Sequence, residues 1–122
     1  MATTPTDTEY LQWILDQGCF IGLDRYPGNG VSPHMRTVTL KKLMDMGYSD
    51  QLCPSHDCIC IHIHKELPDG TIPDEHQFQK ANPDQFLYMH RHVIPELKEM
   101  GASESDIENL FVNNPRRFLF GE

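Results

Sequence analysis

The sequence lacks any long apolar run. No stretch of its 122 residues approaches the roughly 20 apolar residues that a bilayer-spanning helix needs. The N-terminus also lacks a basic segment followed by an apolar one, which predicts that no signal peptide is present. We therefore expect a cytoplasmic protein with no membrane partner.

Positive charge and cysteine are also scarce. Ten Lys and Arg residues stand against 18 Asp and Glu, giving a net charge of −8. Neither Lys41-Lys42 nor Arg116-Arg117 makes a basic patch, so we expect no nucleic-acid partner. Three of the four cysteines crowd into positions 53–60, which favours free thiols in a reducing compartment over disulfides.

Two short apolar runs end in charged residues. Cys19–Leu23 is followed by Asp24 and Arg25, and Gln51–Ser55 is followed by His56 and Asp57. The segment between them, Ser32–Met46, has helical period, so we predict two parallel strands joined by a right-handed crossover helix. Chemistry collects at the carboxyl ends of such strands. Pro54 is unfavourable in a central strand and weakens the end of the second one.

Capping residues and glycines predict the helices around these strands. Thr6 and Glu9 form a capping-box pattern, Ser32-Pro33 begins the crossover helix, and Gly47 ends it. The stretch Cys58–Lys80 shows no helical period and predicts a long loop. Later helices are predicted from the following signals: Asn82-Pro83-Asp84 as a cap, Pro95 as a kink or a division into two helices, Gly101 as a stop, Ser103 to Asp106 as a cap, and Asn114-Pro115 as the start of a last turn. Phe118, Leu119 and Phe120 are expected to be buried, and Trp13 is expected to pack its helix onto the rest of the fold.

So few helices cannot cover both faces of a sheet that contains two parallel strands. We therefore predict that these residues are part of a larger α/β sheet or barrel. Five stretches sharpen this prediction: Gly22-Leu23-Asp24-Arg25-Tyr26, Ser55-His56-Asp57, Asn82-Pro83-Asp84, Arg91 to Lys98, and Asn114 to Leu119. In order and spacing they resemble the phosphotriesterase family of the amidohydrolase superfamily, including its lactonase-like members.

The resemblance implies a fold and a metal. The fold is a (β/α)8 TIM barrel, of which residues 1–122 are the C-terminal portion, with Cys19–Asp24 as strand seven and Gln51–Asp57 as strand eight. Family members hold two divalent metals, usually zinc, through four His, a carboxylated Lys and an Asp. Only the Asp maps here, onto Asp57, so we expect this chain alone to be inactive.

The resemblance also implies roles for four residues. Asp57 is expected to bind the metal and to accept a proton from its hydroxide as a catalytic group. Arg25 and Tyr26 are expected to bind substrate, and His56 is expected to hydrogen-bond Asp57 or a neighbouring strand. From the residues alone, Asp57 as a loop cap, Arg25 in a structural ion pair and His56 as a loop-edge residue stay open.

Thiols and imidazoles alternate at His56, Cys58, Cys60, His62 and His64. An extended chain would place them on one face, where neighbouring pairs can chelate zinc. Five residues spread over roughly 26 Å of strand cannot surround one ion, at about 3.3 Å per residue. A small zinc-binding domain is therefore the third interpretation of this chain.

The first interpretation is a zinc-dependent hydrolase of the phosphotriesterase type. Its substrates would be small lactones, esters or organophosphate triesters. The second is a non-catalytic interaction module derived from that fold, whose open strand edges pair with another chain, including a further copy in a homo-oligomer.

Overall fold

The computed structural model describes residues 7–28, 30–58, 66–71 and 77–121. Two short strands lie among helices, and several helices are joined end to end by 3₁₀ or π turns. The elements in chain order are α1 (Thr8–Asp16), β1 (Ile21–Leu23), α2 (Pro33–Leu43), a π turn (Met44–Tyr48), a 3₁₀ turn (Ser49–Gln51), β2 (Leu52–Pro54), α3 (Gln77–Ala81), a 3₁₀ turn (Gln85–Leu87), a π turn (Met89–Val93), α4 (Ile94–Glu99), α5 (Glu104–Glu108), a π turn (Asn109–Asn113) and α6 (Asn114–Phe120).

Strands β1 and β2 pair in parallel, as the sequence predicts. Ile21 lies opposite Leu52, and Leu23 lies opposite Pro54. Both strands are shorter than expected, because a 3₁₀ turn runs directly into β2 at Gln51. The Gln51 side chain instead donates hydrogen bonds to the Leu15 and Cys19 carbonyls, at 2.8 and 2.9 Å, which fixes the approach to β1.

Pro54 is tolerated in β2 because its missing N–H faces away from β1. The ladder continues past it through Ser55, whose amide donates to the Leu23 carbonyl at 3.1 Å. Successive residues of a strand point their amides to opposite sides, so Pro54 removes no hydrogen bond from this pair.

The caps of the first two helices differ in how well the sequence predicted them. The cap of α1 is Asp7, whose carboxylate accepts from the Tyr10 amide at 3.1 Å, and the prediction of Thr6 is wrong. Asp7 is preferred because a carboxylate also complements the positive end of the helix. The Ser32 cap of α2 is confirmed, with Oγ accepting from the Met35 amide at 3.2 Å.

The buried face of α2 carries two threonines that its apolar pattern did not indicate. Thr37 and Thr39 are buried because their hydroxyls donate to the Pro33 and Met35 carbonyls one turn back. Met46, the last residue of the predicted helix, is exposed, since Gly47 turns the chain with a φ of 98°.

Two prolines sit just after π turns. Pro95 and Pro115 each occupy the first turn of a helix, α4 and α6 respectively. The amides of Ile94 and Asn114 bond five residues back, to Met89 and Asn109. A wider turn makes room for the proline ring, which has no N–H and clashes with a carbonyl in a regular helix. Pro95 thus divides its helix, as predicted.

The loop predicted for Cys58–Lys80 contains helix α3 at its end, so that part of the prediction is wrong. Its five residues are too few to show a helical period. Residues 59–65 and 72–76 lie outside the described part, and with them Cys60, His62 and His64.

The core is one cluster of buried side chains contributed by both strands and by the helices. Its members are large apolar side chains with almost no exposed surface, among them Leu15, Tyr26, Leu40, Leu43, Leu52, Met89, Val93, Leu97 and Leu110. In the ranges described, no helix is long and apolar enough to cross a membrane.

The C-terminal helix is tied to β2 by one buried amide. Asn114 is fully buried, and its Nδ2 donates to the Ser49 carbonyl at 2.5 Å and to the Leu52 carbonyl at 2.8 Å. Its Oδ1 accepts from Arg117, which also bonds Asn109 and Asp50. This network closes the end of β2 opposite to Asp57.

The end of α6 is exposed, which contradicts the predicted burial. Phe118, Leu119 and Phe120 are 63%, 68% and 73% exposed, and Trp13 of α1 is 60% exposed. Phe118 packs edge-on against Phe20, with ring centroids 5.6 Å apart, and Trp13 stacks on Tyr10. These contacts leave most of each apolar side chain exposed.

Replacing Asn114 with Ala should lower the free energy of unfolding by about 2–3 kcal/mol, because two buried carbonyls lose their donor. Urea unfolding measures the change. The matched control is Asn113→Ala, whose side chain makes no capping hydrogen bond and should cost much less. Equal effects of the two variants would contradict the role given to Asn114.

The exposed apolar side chains predict self-association. Sedimentation velocity over a concentration series should show oligomers, and a variant with Ser at positions 118, 119 and 120 should show fewer. A wild-type monomer with a concentration-independent melt would contradict this expectation.

Candidate functional site

Arg25 and Asp57 meet at the carboxyl ends of the two strands. Arg25 lies two residues beyond β1, and Asp57 lies three residues beyond β2. The Arg25 Nε and the Asp57 Oδ2 are 3.7 Å apart. The pair is largely exposed, so it adds little stability and leaves both groups accessible. Parallel pairing is what brings these residues together, although they are 32 positions apart.

A cleft of about 490 Å³ opens beside this ion pair. All four residues predicted for the site lie in its wall. The lining residues are Arg25, Tyr26, Pro27, Gly28, Pro33, Arg36, His56, Asp57, Cys58, Gln79, Ala81, Asn82 and Gln85.

Tyr26 lies at the base of the cleft, and its hydroxyl is turned into the protein interior. Its side chain is 1% exposed, its amide donates to the Ser55 carbonyl, and its hydroxyl lies 3.3 Å from Thr37 Oγ1. Burial raises the pKa of Tyr26 to about 12. Because Tyr26 is fully buried and its hydroxyl is already bonded, it supports the wall of the cleft from the core.

His56 is held in a fixed orientation. Its Nδ1 accepts a hydrogen bond from the Cys58 amide at 3.2 Å, which places the ring proton of the neutral form on Nε2. Its ring packs edge-on against Phe86, with centroids 5.2 Å apart. His56 thus links the end of β2 to the Gln85–Leu87 turn.

The geometry agrees with comparisons to known proteins. The sequence model of the phosphotriesterase family matches residues 2–119. The chain belongs to the phosphotriesterase family. It is 30% identical over 117 residues to the phosphotriesterase homology protein of Mycobacterium tuberculosis, covering 93% of this chain and 33% of that protein. It is 34% identical over 112 residues to an aryldialkylphosphatase of Saccharolobus solfataricus, covering 91% of this chain and 34% of that one.

A solved structure gives the same result. The phosphotriesterase from Mycobacterium tuberculosis superimposes with a TM-score of 0.76 at 28% identity, covering 93% of this chain and 33% of that one. This phosphotriesterase-family chain therefore spans about a third of the length of the relatives it matches.

Arg36 also lines the cleft, although the sequence did not identify it as a site residue. Its Nη1 donates to the Asp24 carbonyl at 2.9 Å and its Nε to the Val31 carbonyl at 3.3 Å. Gly28 makes this possible, because a Cβ there would lie 2.7 Å from Arg36 Nη2 and 2.1 Å from the Arg25 carbonyl oxygen. Arg36 therefore pins the loop that carries Arg25. The Pro-Gly-Asn-Gly stretch predicts the turn but does not indicate that Arg36 contacts it.

The segment from Asn82 to Gln85 also went unpredicted as part of the site. The sequence marked it only as a helix cap, and Asn82 Oδ1 does accept from the Gln85 amide at 3.1 Å. Both residues line the cleft. No local signal identifies them, since the contact depends on how the later helices pack.

One described residue, Asp57, has a side chain suited to coordinate the divalent metal that the family implies. Among the described residues, no group of three or more His, Cys, Asp or Glu side chains is arranged to hold an ion. The carboxylate of Asp57 is accessible at the strand end and suits one position of a divalent metal. These residues cannot complete a site without further ligands.

Stability should fall as pH rises from about 10 to 12. The Tyr26 pKa is raised above 10.0, the value of an exposed tyrosine, so its neutral form is favoured by folding. The resulting contribution of Tyr26 to the free energy of unfolding amounts to about 2–3 kcal/mol. It is fully present below pH 10 and is lost as pH rises through about 12.

Urea unfolding of the wild type and Tyr26→Phe at several pH values measures this difference, and tyrosinate absorbance follows the titration. Tyr10→Phe is the control, because Tyr10 is exposed and its removal should leave the pH profile unchanged. If the free energy of unfolding of Tyr26→Phe changed with pH in the same way as that of the wild type, the assignment of this pH dependence to Tyr26 would be contradicted.

Proposed function

We propose that this chain is the C-terminal portion of a (β/α)8 barrel hydrolase of the phosphotriesterase type, with β1 and β2 as strands seven and eight. The observation that carries the proposal is the meeting of Arg25 and Asp57 at the carboxyl ends of parallel strands, in one cleft. Barrel enzymes place their reacting groups at this end of their strands. Coverage of a third of each relative supports the same view.

Asp57 is the ligand this chain would supply to a divalent metal, which we propose to be zinc. When bound, such a metal supplies a water nucleophile activated at neutral pH. Asp57 also has a free carboxylate lone pair with which to take up a proton at the reacting centre. Among the described residues, no group of three His, Cys, Asp or Glu side chains completes such a site.

Arg25 would bind an oxygen of the substrate. Its guanidinium is 73% exposed in side-chain area and is held only loosely by Asp57. Charge-assisted hydrogen bonds from guanidinium suit a carbonyl, phosphoryl or lactone oxygen. Tyr26 would support the wall of the cleft from the core, and His56 would keep the Asp57 loop in place.

The substrates we propose are small esters, lactones or organophosphate triesters. The cleft is large enough for molecules of this size. The relative from Saccharolobus solfataricus is named an aryldialkylphosphatase, which agrees with a phosphotriester as one such substrate.

A non-catalytic interaction module is the second candidate. It is favoured by the exposed apolar end of α6 and by Trp13. In this case the chain would bind another polypeptide through these side chains, and Asp57 would have no role in chemistry.

A hybrid enzyme separates the two candidates. This chain replaces the matched segment of the Mycobacterium tuberculosis relative, and hydrolysis of paraoxon and of a lactone is measured with zinc. We expect zinc-dependent turnover by the hybrid and none by the 122-residue chain alone. Asp57→Asn should lower activity and zinc content by about 100-fold or more, since losing an outer partner already costs 10–100-fold.

Asp24→Asn is the matched control, because Asp24 is an exposed carboxylate at the end of the other strand. It should change activity less than about threefold. A folded hybrid in which Asp57→Asn and Asp24→Asn behave alike would contradict the metal role of Asp57. Zinc-dependent turnover by the chain alone would show that it holds ligands beyond Asp57.

A further inference from the structure

Helix α1 carries two large aromatic rings on the side that faces away from the core. Leu15 is buried, Leu11 packs against the core one turn earlier, and Trp13 lies on the opposite side of the helix. Tyr10 stacks on Trp13, with ring centroids 6.2 Å apart. Both rings are more than half exposed. The outward side of α1 is therefore an apolar surface flanked by solvent.

The outward side of α6 has the same character. Asn114 is fully buried on the inner side of this helix, whereas Leu119 and Phe120 lie on the opposite side and are exposed. Phe118 differs from these two, because its ring packs on Phe20. Each of the two helices thus presents two large apolar side chains away from the core.

The two outward surfaces carry opposite charge. Glu9 and Asp16 lie four residues before and three residues after Trp13, so these three share one side of α1. Arg116 shares the outward side of α6 with Leu119 and Phe120, at the corresponding helical spacings. Helix α1 contains no Lys or Arg, and α6 contains no Asp or Glu. Each surface therefore complements the other in charge, and neither complements a copy of itself.

We call these surfaces the α1 face and the α6 face. The α1 face consists of Glu9, Tyr10, Trp13 and Asp16, and the α6 face consists of Arg116, Leu119 and Phe120. In the barrel proposed above, the helices form an outer ring around the strands. Further strands would pair with the edges of β1 and β2, and would leave the outward sides of these helices open. A second molecule is therefore the partner that fits the two faces.

The apolar area of the two faces matches that of an interface between identical subunits. Tyr10, Trp13, Leu119 and Phe120 are 59–73% exposed and together present about 500 Å² to solvent, since large side chains of this kind have roughly 150–250 Å² each. A standard interface buries about 800 Å² per partner, and roughly 65% of this area is apolar between identical subunits. The two faces supply nearly all of that apolar share.

We propose that two copies of this chain pair through these faces, with the α1 face of one copy against the α6 face of its partner. A twofold axis forms this contact twice, because each copy supplies one face of either kind. The Phe20–Phe118 contact places α6 beside the segment that follows α1, so one interface includes both faces. Glu9 of one copy then pairs with Arg116 of the other beside the apolar side chains. This pairing does not depend on the proposed activity.

Charge reversal tests the pairing, measured by sedimentation velocity on the full 122-residue chain. Glu9→Arg sets like charges against each other in both contacts, and so does Arg116→Glu. Each variant alone should raise the dissociation constant of the dimer by about tenfold or more, because opposed like charges destabilise an interface. Glu9→Arg also lowers the net negative charge of the chain, which by itself would favour association.

Mixing the two variants gives the decisive measurement. A dimer with one copy of each variant has one native and one reversed ion pair, so opposite charges meet in both contacts. An equimolar mixture should therefore form mixed dimers, with a dissociation constant within about threefold of the wild-type value. Native mass spectrometry identifies the mixed dimer by its mass. Recovery on mixing also shows that each variant is folded.

Two further variants separate the faces from the rest of the surface. Glu108→Arg makes the same change of charge at an exposed position of α5, outside both faces, and should change the constant less than about twofold. Trp13→Ser removes the largest apolar side chain of the α1 face and should weaken the dimer by about tenfold or more. Urea unfolding checks that both variants are folded.

A wild-type chain that stays monomeric over the concentration series would overturn the proposal. So would single reversals that leave the dimer intact, reversals that do not recover on mixing, or a loss with Glu108→Arg equal to that with Glu9→Arg. If the chain dimerises but the hybrid enzyme is monomeric, the faces would belong to the rest of the barrel and the proposal would also fall. The hydrolytic activity and zinc content of the hybrid test the proposed function separately, because neither depends on the charge at position 9 or 116.

Discussion

The hydrogen bond from the Ser55 amide to the Leu23 carbonyl is the contact on which the site depends. It continues the β1–β2 ladder by one residue beyond the strands, past a proline that cannot donate. The Tyr26 amide then bonds back to the Ser55 carbonyl. These two bonds bring both strand ends to the same level, so that Arg25 and Asp57 emerge side by side. A one-residue slip would turn one of them towards the core.

The opposite end of the sheet is fixed independently of the site. Asn114 holds the first residue of β2 through the Leu52 carbonyl, and the Leu52 side chain is fully buried. This arrangement separates two tasks along a strand of three residues. Apolar burial and a buried amide stabilise its beginning, and its end is free to carry accessible charged groups. The same separation is general in parallel α/β folds, where one end serves stability and the other serves chemistry.

Strain is concentrated where the chain lines the cleft. Arg25, Asp57 and Gln85 each adopt a backbone conformation that disfavours a residue with a Cβ. Each is compensated by rigid neighbours: Arg36 on the Arg25 loop, the His56–Cys58 bond beside Asp57, and the hydrogen bond between Asp84 and Arg91 beside Gln85. Fixed walls limit the entropy lost on binding, because the groups that contact a ligand are already in place.

Much of the frame was predictable from local sequence. Ser32, Gly47, Pro95, Gly101 and the Ser103–Asp106 capping box act where they stand, because caps and stops depend on a few adjacent residues. The parallel pairing and the adjacency of Arg25 and Asp57 also followed, since the topology of a strand–helix–strand unit leaves few alternatives.

Other features were decided only by tertiary structure. The burial of Thr37 and Thr39 and the exposure of Phe118 to Phe120 depend on what packs nearby. Arg36 and Gln85 reach the cleft through contacts between segments distant in sequence, which no local pattern encodes. The sequence by itself determined the parallel strand pair, the Ser32 and Ser103 caps, and the glycines and proline that end or divide helices. The tertiary structure decided which of the others surround them, because packing acts between residues far apart in the chain.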